Sequence, residues 1–237
     1  MWPLGVLKKP DSSVLLNLRF EGANGSQVFT DSSAFARPVT VSSGTPALTT
    51  TNPLSGTSSL LLGTNGTITV PNFTTPANTR LNTIEFRMQI DLADIAFNER
   101  QGIFVKGYSF SLADEYSHQC ILTRNASGTG GVLRMYYNSP TLGKPSALLY
   151  IPIADISSNN HIAFTRRNSS HYVAYLNGVQ VAQLFAADYT ANTLAFEFGT
   201  SIYDWETATQ TNNFKGRLDN FRLCNVDKYP SNFTPPV

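Results

Sequence analysis

Catalysis requires reactive side chains that the fold can bring to one point, and this chain carries few. Its carboxylates near one another in sequence are Asp91 with Asp94, Asp114 with Glu115, and Asp204 with Glu206. Glycoside cleavage needs two carboxyl groups flanking the bond, one to protonate the leaving oxygen and one to attack or to activate water. On a strand only alternate residues share a face, so adjacent Asp114 and Glu115 diverge. Asp91 and Asp94 could meet on a helical face at i, i+3, yet they read as solvated first-turn acids. No G-x-S-x-G elbow is present, and His118, His161 and His171 sit in no catalytic context. The chain therefore reads as a non-enzyme, with no catalytic residue assigned.

Raw material for binding is better. Sugars are held by aromatic faces and a few fixed polar groups, typically on loops of a rigid scaffold. Tyr203, Asp204, Trp205 and Glu206 put two aromatics and two acids in one short polar segment. Tyr108, Tyr116, Tyr136 and Tyr137 are further candidate wall residues. The same aromatics suit a protein interface or simple packing on a rim.

Composition excludes several classes. The formal net charge is +1, which makes no electrostatic case for nucleic acid or an anionic membrane. Lys8-Lys9 and Arg166-Arg167 are isolated basic pairs. Cys120 and Cys224 fall in apparent strands without metal-type spacing and read as buried, reduced thiols. Residues 1–13, MWPLGVLKKPDSS, hold no apolar run long enough for a signal peptide or membrane span, consistent with folding in a reducing cytoplasm.

The elements that must position these residues are strands. Ile84, Phe86, Met88 and Ile90 alternate with Glu85, Arg87, Gln89 and Asp91, the period of a half-buried strand. Val14, Leu16, Leu18 and Phe20 repeat it near the N-terminus, and Leu194, Phe196 and Phe198 near the C-terminus. Asn177-Gly178 between two apolar runs predicts a hairpin with a type I′ turn. No window sustains helical periodicity; 91–97 predicts at most a turn or two. The Ser/Thr-rich 42–59 reads as surface loops. Together these predict an all-β, two-sheet antiparallel sandwich over residues 14–237, preceded by a short N-terminal arm at 1–13.

Three blocks carry a family resemblance. The first is Phe20-Glu21-Gly22-Ala23-Asn24-Gly25-Ser26 with Phe29 to Ser33; the second is Asn160 to Arg166 followed by Asn177-Gly178. The third is Phe214, Gly216, Leu218, Asp219 and Arg222 followed by Asn232 to Pro236. In order and spacing they resemble concanavalin A-like (laminin G-like) jelly-roll domains found in bacteriophage structural proteins. Two positions depart from the pattern: Asn160 stands where a tryptophan is usual, and Glu21 where an aspartate is usual.

The resemblance implies first and last strands lying together, and one structural calcium at their junction held by Glu21, Asp31 and Asp219, since hard cations take oxygen ligands. It further implies a virion component, present in many copies or as a homo-oligomer, that contacts other virion proteins and does not enter a membrane. In that setting Trp2, Pro3, Leu4, Val6 and Leu7 would clamp the arm to a capsid or tail partner. The leading expectation is a head-decoration or tail-associated subunit whose lectin-like sandwich contacts host-surface glycans. A dedicated glycan adhesin of the tail is the alternative, with a glycan hydrolase behind both.

Overall fold

A computed structural model describes residues 11–71, 81–107, 116–138, 145–168, 170–185, 195–204 and 206–236. The strands are, in chain order, β1 (Val14–Leu18), β2 (Thr40–Ser43), β3 (Ala47–Thr49), β4 (Ser59–Leu61), β5 (Thr67–Val70) and β6 (Thr83–Gln89). They continue as β7 (Arg100–Gly107), β8 (Tyr116–Arg124), β9 (Gly131–Asn138), β10 (Pro145–Ile153), β11 (Asn160–Arg166) and β12 (His171–Leu176). The last six are β13 (Val179–Phe185), β14 (Phe196–Phe198), β15 (Tyr203–Asp204), β16 (Thr209–Gln210), β17 (Asn212–Asn213) and β18 (Arg217–Cys224).

Two eight-stranded sheets make a sandwich. Sheet A runs β13-β12-β11-β6-β18-β4-β3, with β1 also on β18; sheet B runs β10-β9-β8-β7-β14-β5-β2, with β17 on β7. All these pairings are antiparallel except β17 with β7. The expected meeting of the chain's ends is observed: Leu16 pairs with Leu223 and Leu18 with Phe221.

Period-two alternation drives the assembly, because it gives each strand one apolar face to remove from water. Phe86 of sheet A and Phe104, Phe196 and Phe198 of sheet B converge on Phe221 of the last strand, with ring centroids 4.7–5.9 Å from it. Each such aromatic pair adds about 0.5–1.5 kcal/mol beyond its area burial. Phe221 therefore ties the closing strand to both sheets at once.

Two expectations need adjustment, and the short turn expected at 91–97 is present. The 42–59 stretch is not all loop: β3 lies within it and β2 ends there, each a short edge strand. Residues 11–13 belong with the fold, since Asp11 Oδ1 accepts from Ser13 N and Ser13 O accepts from Asn225 N at 2.9 Å. At 91–97 a single 3-10 turn forms at Leu92–Asp94, capped by Asp91 Oδ1 accepting from Ala93 N at 3.0 Å.

Asn160, in the tryptophan's place, is buried and donates from Nδ2 to Asp155 O and Ser158 O, so it holds the preceding turn instead of filling core volume. Cys120 and Cys224 are buried free thiols, and burial pushes Cys224 up to about 11. Among the described residues, no helix is long and apolar enough to cross a membrane.

Candidate functional site

Each sheet carries a cap on its outer face, and each cap encloses a buried carboxylate. On sheet B, Val105, Ile121 and Tyr136 point outward and are covered by Ile202. The covering chain lies so close that a Cβ on Gly102 would meet Thr200 O at 2.3 Å, which is why β7 has a glycine there. Ile202 O then accepts from Thr211 N, starting the β15–β16 hairpin, in which Asp204 pairs with Thr209.

This hairpin contains the binding segment expected from the sequence. Asp204 is fully buried; its Oδ1 accepts from Tyr136 Oη at 2.9 Å and from Glu206 N at 3.0 Å. Its Oδ2 lies 3.4 Å from Arg100 Nη1 and 3.6 Å from Arg134 Nη1. Arg134 also donates to Thr123 Oγ1 at 3.0 Å, and its Nε stands 3.3 Å from Glu206 Oε2. Tyr150, cross-strand from Arg134 and 46% exposed, donates its hydroxyl to Glu206 Oε1. Burial, with the bond to Glu206, pushes the Tyr150 phenol up to about 12, so it remains a donor at physiological pH. Asp204 thus anchors two guanidiniums from below, and Glu206 and Tyr150 present polar and aromatic groups above.

A cleft of about 240 Å³ runs beside the hairpin, between Asn98, Glu99 and Arg100 on one bank and Thr209, Gln210 and Asn212 on the other. Burial alone would raise Glu99, but bonds from Asn212, Ala96 N and Gln101 hold it below the ordinary carboxylate range. Phe97, next in sequence, is exposed and carries the Arg124 guanidinium 4.1 Å from its ring centre.

Other expected residues fall differently. Trp205, Tyr108, and Trp2, Pro3, Leu4, Val6 and Leu7 of the arm lie outside the described residues, as do Asp114, Glu115 and the Tyr116 side chain. Tyr136 and Tyr137 are buried, so neither walls an open site. A second cleft, about 370 Å³, includes Asp91 and Asp94 with Lys215 and Arg217, but no aromatic.

Glu21, Asp31 and Asp219 do not converge: among the described residues no group of three His, Cys, Asp or Glu side chains is placed to share a metal ion. Asp31 caps its own turn, accepting from Asn17 N, Ser33 N, Ser33 Oγ and Arg37 N at 2.8–3.0 Å. Glu21 accepts from Thr57 N and Thr57 Oγ1. Asp219 is buried and accepts from Ser55 N, Ser59 Oγ and Asn220 N. Burial, with some contribution from the charge of Glu21, outweighs those bonds and raises Asp219 to about 7.

The residues that sequence reasoning missed are the arginines and the second carboxylate. Arg100 and Arg134 are single basic residues on separate strands, and only the cross-sheet register unites them. On sheet A, Glu85 is buried beneath the tail at 227–236, which packs Tyr229 and Phe233 against Ala163, Val173 and Tyr175. Glu85 Oε1 accepts from Arg222 Nε at 2.5 Å; Oε2 accepts from Tyr229 Oη at 2.5 Å and lies 3.3 Å from His161 Nε2. Burial opposes its ionisation, but His161, Arg222 and Tyr229 together lower its pKa.

No protein-family model matches the chain, and no curated protein matches it in sequence. Its fold is similar to that of the receptor-binding domain of botulinum neurotoxin D, with a TM-score of 0.62 at 11% identity over 91% of this chain. It is also similar to the binding domain of paraclostridial mosquitocidal protein 1 (TM-score 0.60, 14% identity) and the botulinum neurotoxin type G receptor-binding domain (0.60, 16%). The chain spans about half the length of these structures, 48–50%. At such identities the likeness is one of fold: a two-sheet β-sandwich.

Proposed function

We propose that this chain is a non-catalytic recognition module that binds a glycan through the outer rim of sheet B. The observation that carries the reading is buried Asp204, which fixes Arg100, Arg134 and Tyr136 beneath the exposed Tyr150. Polar groups already held in place lose little freedom on binding. Two positive and two negative charges balance there, which suits the hydroxyls of a neutral sugar better than a charged ligand.

A hydrolase is disfavoured by the same geometry. Asp204 is enclosed by its partners, leaving Glu206 as the accessible acid of that pair, whereas glycosidases need two acids flanking the bond. A similar sandwich supports a recognition role: the binding domain of botulinum neurotoxin DC was solved in complex with rat synaptotagmin II and with SialylT. Glycan-array binding that disappears in Tyr150→Ala would support the site; a silent array, or one unchanged by the substitution, would remove it.

The setting we propose is a phage virion, on the strength of the three sequence blocks. Residues 11–13 are tied to the end of sheet A, so an arm would leave from a fixed point. Deleting residues 1–10 should abolish incorporation into particles; undiminished occupancy would exclude the arm as a clamp.

A further inference from the structure

We infer that the outer face of sheet A carries an oxyanion-binding site, formed by Arg19, Arg87 and Arg222, that takes a carboxylate or phosphate group. The site lies opposite the proposed glycan rim and does not depend on it.

Register builds it. Asn17 of β1 pairs with Arg222 of β18, Arg222 pairs with Glu85 of β6, and Arg87 pairs with His161 of β11. Alternation turns this polar row outward while Leu16, Leu18, Phe221, Phe86 and Ile162 turn into the core. A bulge between Asp219 and Arg222, with Asn220 at φ 46°, shifts the alternation in β18 and brings Asn220 to the same cavity. The result is a cavity of about 90 Å³ lined by the three arginines with Asn17, Asn220, His161, Glu85 and Pro236. A cavity admits a single water once it reaches about 10–15 Å³, so this one has room for a small oxyanion.

Charge and unmet donors point to an anion. Glu85 is the cavity's carboxylate, and its oxygens are engaged by Arg222, Tyr229 and His161. Asp219, the register partner of Arg87, directs its oxygens to Ser55, Ser59 and the Asn220 amide. Arg19 is exposed and forms no hydrogen bond or ion pair with a described residue. Arg87 donates to Pro236 O at 2.6 Å and more weakly to Asn159 Oδ1 at 3.4 Å, while its buried Nε has no partner among the described residues. Nδ1 of His161, a residue only 2% exposed, is likewise unpartnered. Planar guanidiniums bind carboxylate and phosphate through paired hydrogen bonds, with asparagine amides suited to the remaining lone pairs.

The test uses the whole chain at low ionic strength, titrated separately with inorganic phosphate, glucuronate and uncharged glucose, and followed by calorimetry and thermal shift. Saturable binding of phosphate or glucuronate that depends on Arg19 is expected, whereas any glucose binding, at the rim of sheet B, should not depend on Arg19; the tighter of the two anions identifies the ligand class. Arg19→Gln disturbs no described contact and should weaken the interaction about tenfold, the scale of one charge-assisted bond. Lys215→Gln, in the separate cleft beside Asp91 and Asp94, should leave it unchanged. Absence of saturable binding by either anion, or equal binding by Arg19→Gln, would overturn the site.

Discussion

Tyr229 donates its hydroxyl to Glu85 Oε2 at 2.5 Å across a sequence separation of 144 residues, and that bond pins the C-terminal tail to the centre of sheet A. The tail carries a ring stack with it, Tyr229 on Phe233 at 3.6 Å between centroids, and Tyr175 Oη donates to Tyr229 O at 2.6 Å. Tyr229→Phe should therefore cost about 1.5–3 kcal/mol, the scale of a hydrogen bond to a charged group. Glu85→Gln should cost about 3–5 kcal/mol, because it leaves Arg222 without its counter-charge in a largely desolvated place. Urea unfolding of both variants checks the order; equal losses would mean that Arg222 contributes nothing through Glu85.

Asp219 predicts a pH dependence of the opposite sign to an ordinary paired acid. Its folded pKa is raised to about 7 from 3.8, so between those values the folded state holds a proton that the unfolded state has released. Stability contributed by this group must then fall as pH rises from about 4 to about 7, and level off above. Glu85 acts the other way, its lowered pKa costing stability only in more acidic solution. Asp219→Asn should flatten the fall between pH 4 and 7; an unchanged slope in chemical denaturation would show that another group titrates.

The calcium implied by the opening and closing blocks has a direct check. The oxygens of Asp31 and Asp219 already accept from protein N–H and O–H donors, which a bound cation would have to displace. Melting temperature at neutral pH should be the same with calcium and with a chelator. A rise with calcium, by mass action on a folded-state site, would restore the carboxylates as ligands.

Much of the scaffold was legible because burial writes a short-range pattern. Ile84 to Ile90 reads as a strand from alternation alone, and Asn177-Gly178 reads as a turn because both residues adopt positive φ, 51° and 80°. The short edge strands β2 and β3 were not legible, since β2 is exposed throughout and its Thr and Ser side chains look like a loop. The polar centres were hidden for a different reason. Glu85 meets Arg222, Tyr229 and His161 at separations of 137, 144 and 76 residues, and nothing local marks those partners. The Tyr203–Glu206 segment was found by composition, but its role as a hairpin over Tyr136 depends on register that single-sequence patterns do not encode.

Gly178 couples the hairpin turn to the tail. A Cβ there would meet Phe233 O at 1.9 Å, and the native φ of 80° is itself costly for other residues. Gly178→Ala should destabilise by about 1–3 kcal/mol. It should also abolish exchange protection of the Phe233 amide, which donates to Gly178 O at 2.9 Å. Retained protection at Phe233 would show that the tail docks independently of the turn.

Stability and recognition should separate at the proposed glycan rim. Asp204→Asn keeps an oxygen for Tyr136 but turns an amide towards Arg100 and Arg134, 27% and 12% exposed, so it should cost about 2 kcal/mol and loosen both guanidiniums. Tyr150→Ala removes a half-exposed ring and should stay within about 0.5 kcal/mol of the parent. Yet both substitutions should lose glycan binding, the first because its donors are no longer held in place and the second because the exposed ring is gone. Measuring unfolding and glycan affinity on the same two variants tests the division of labour: if Asp204→Asn unfolds more easily but binds normally, the buried carboxylate is structural alone.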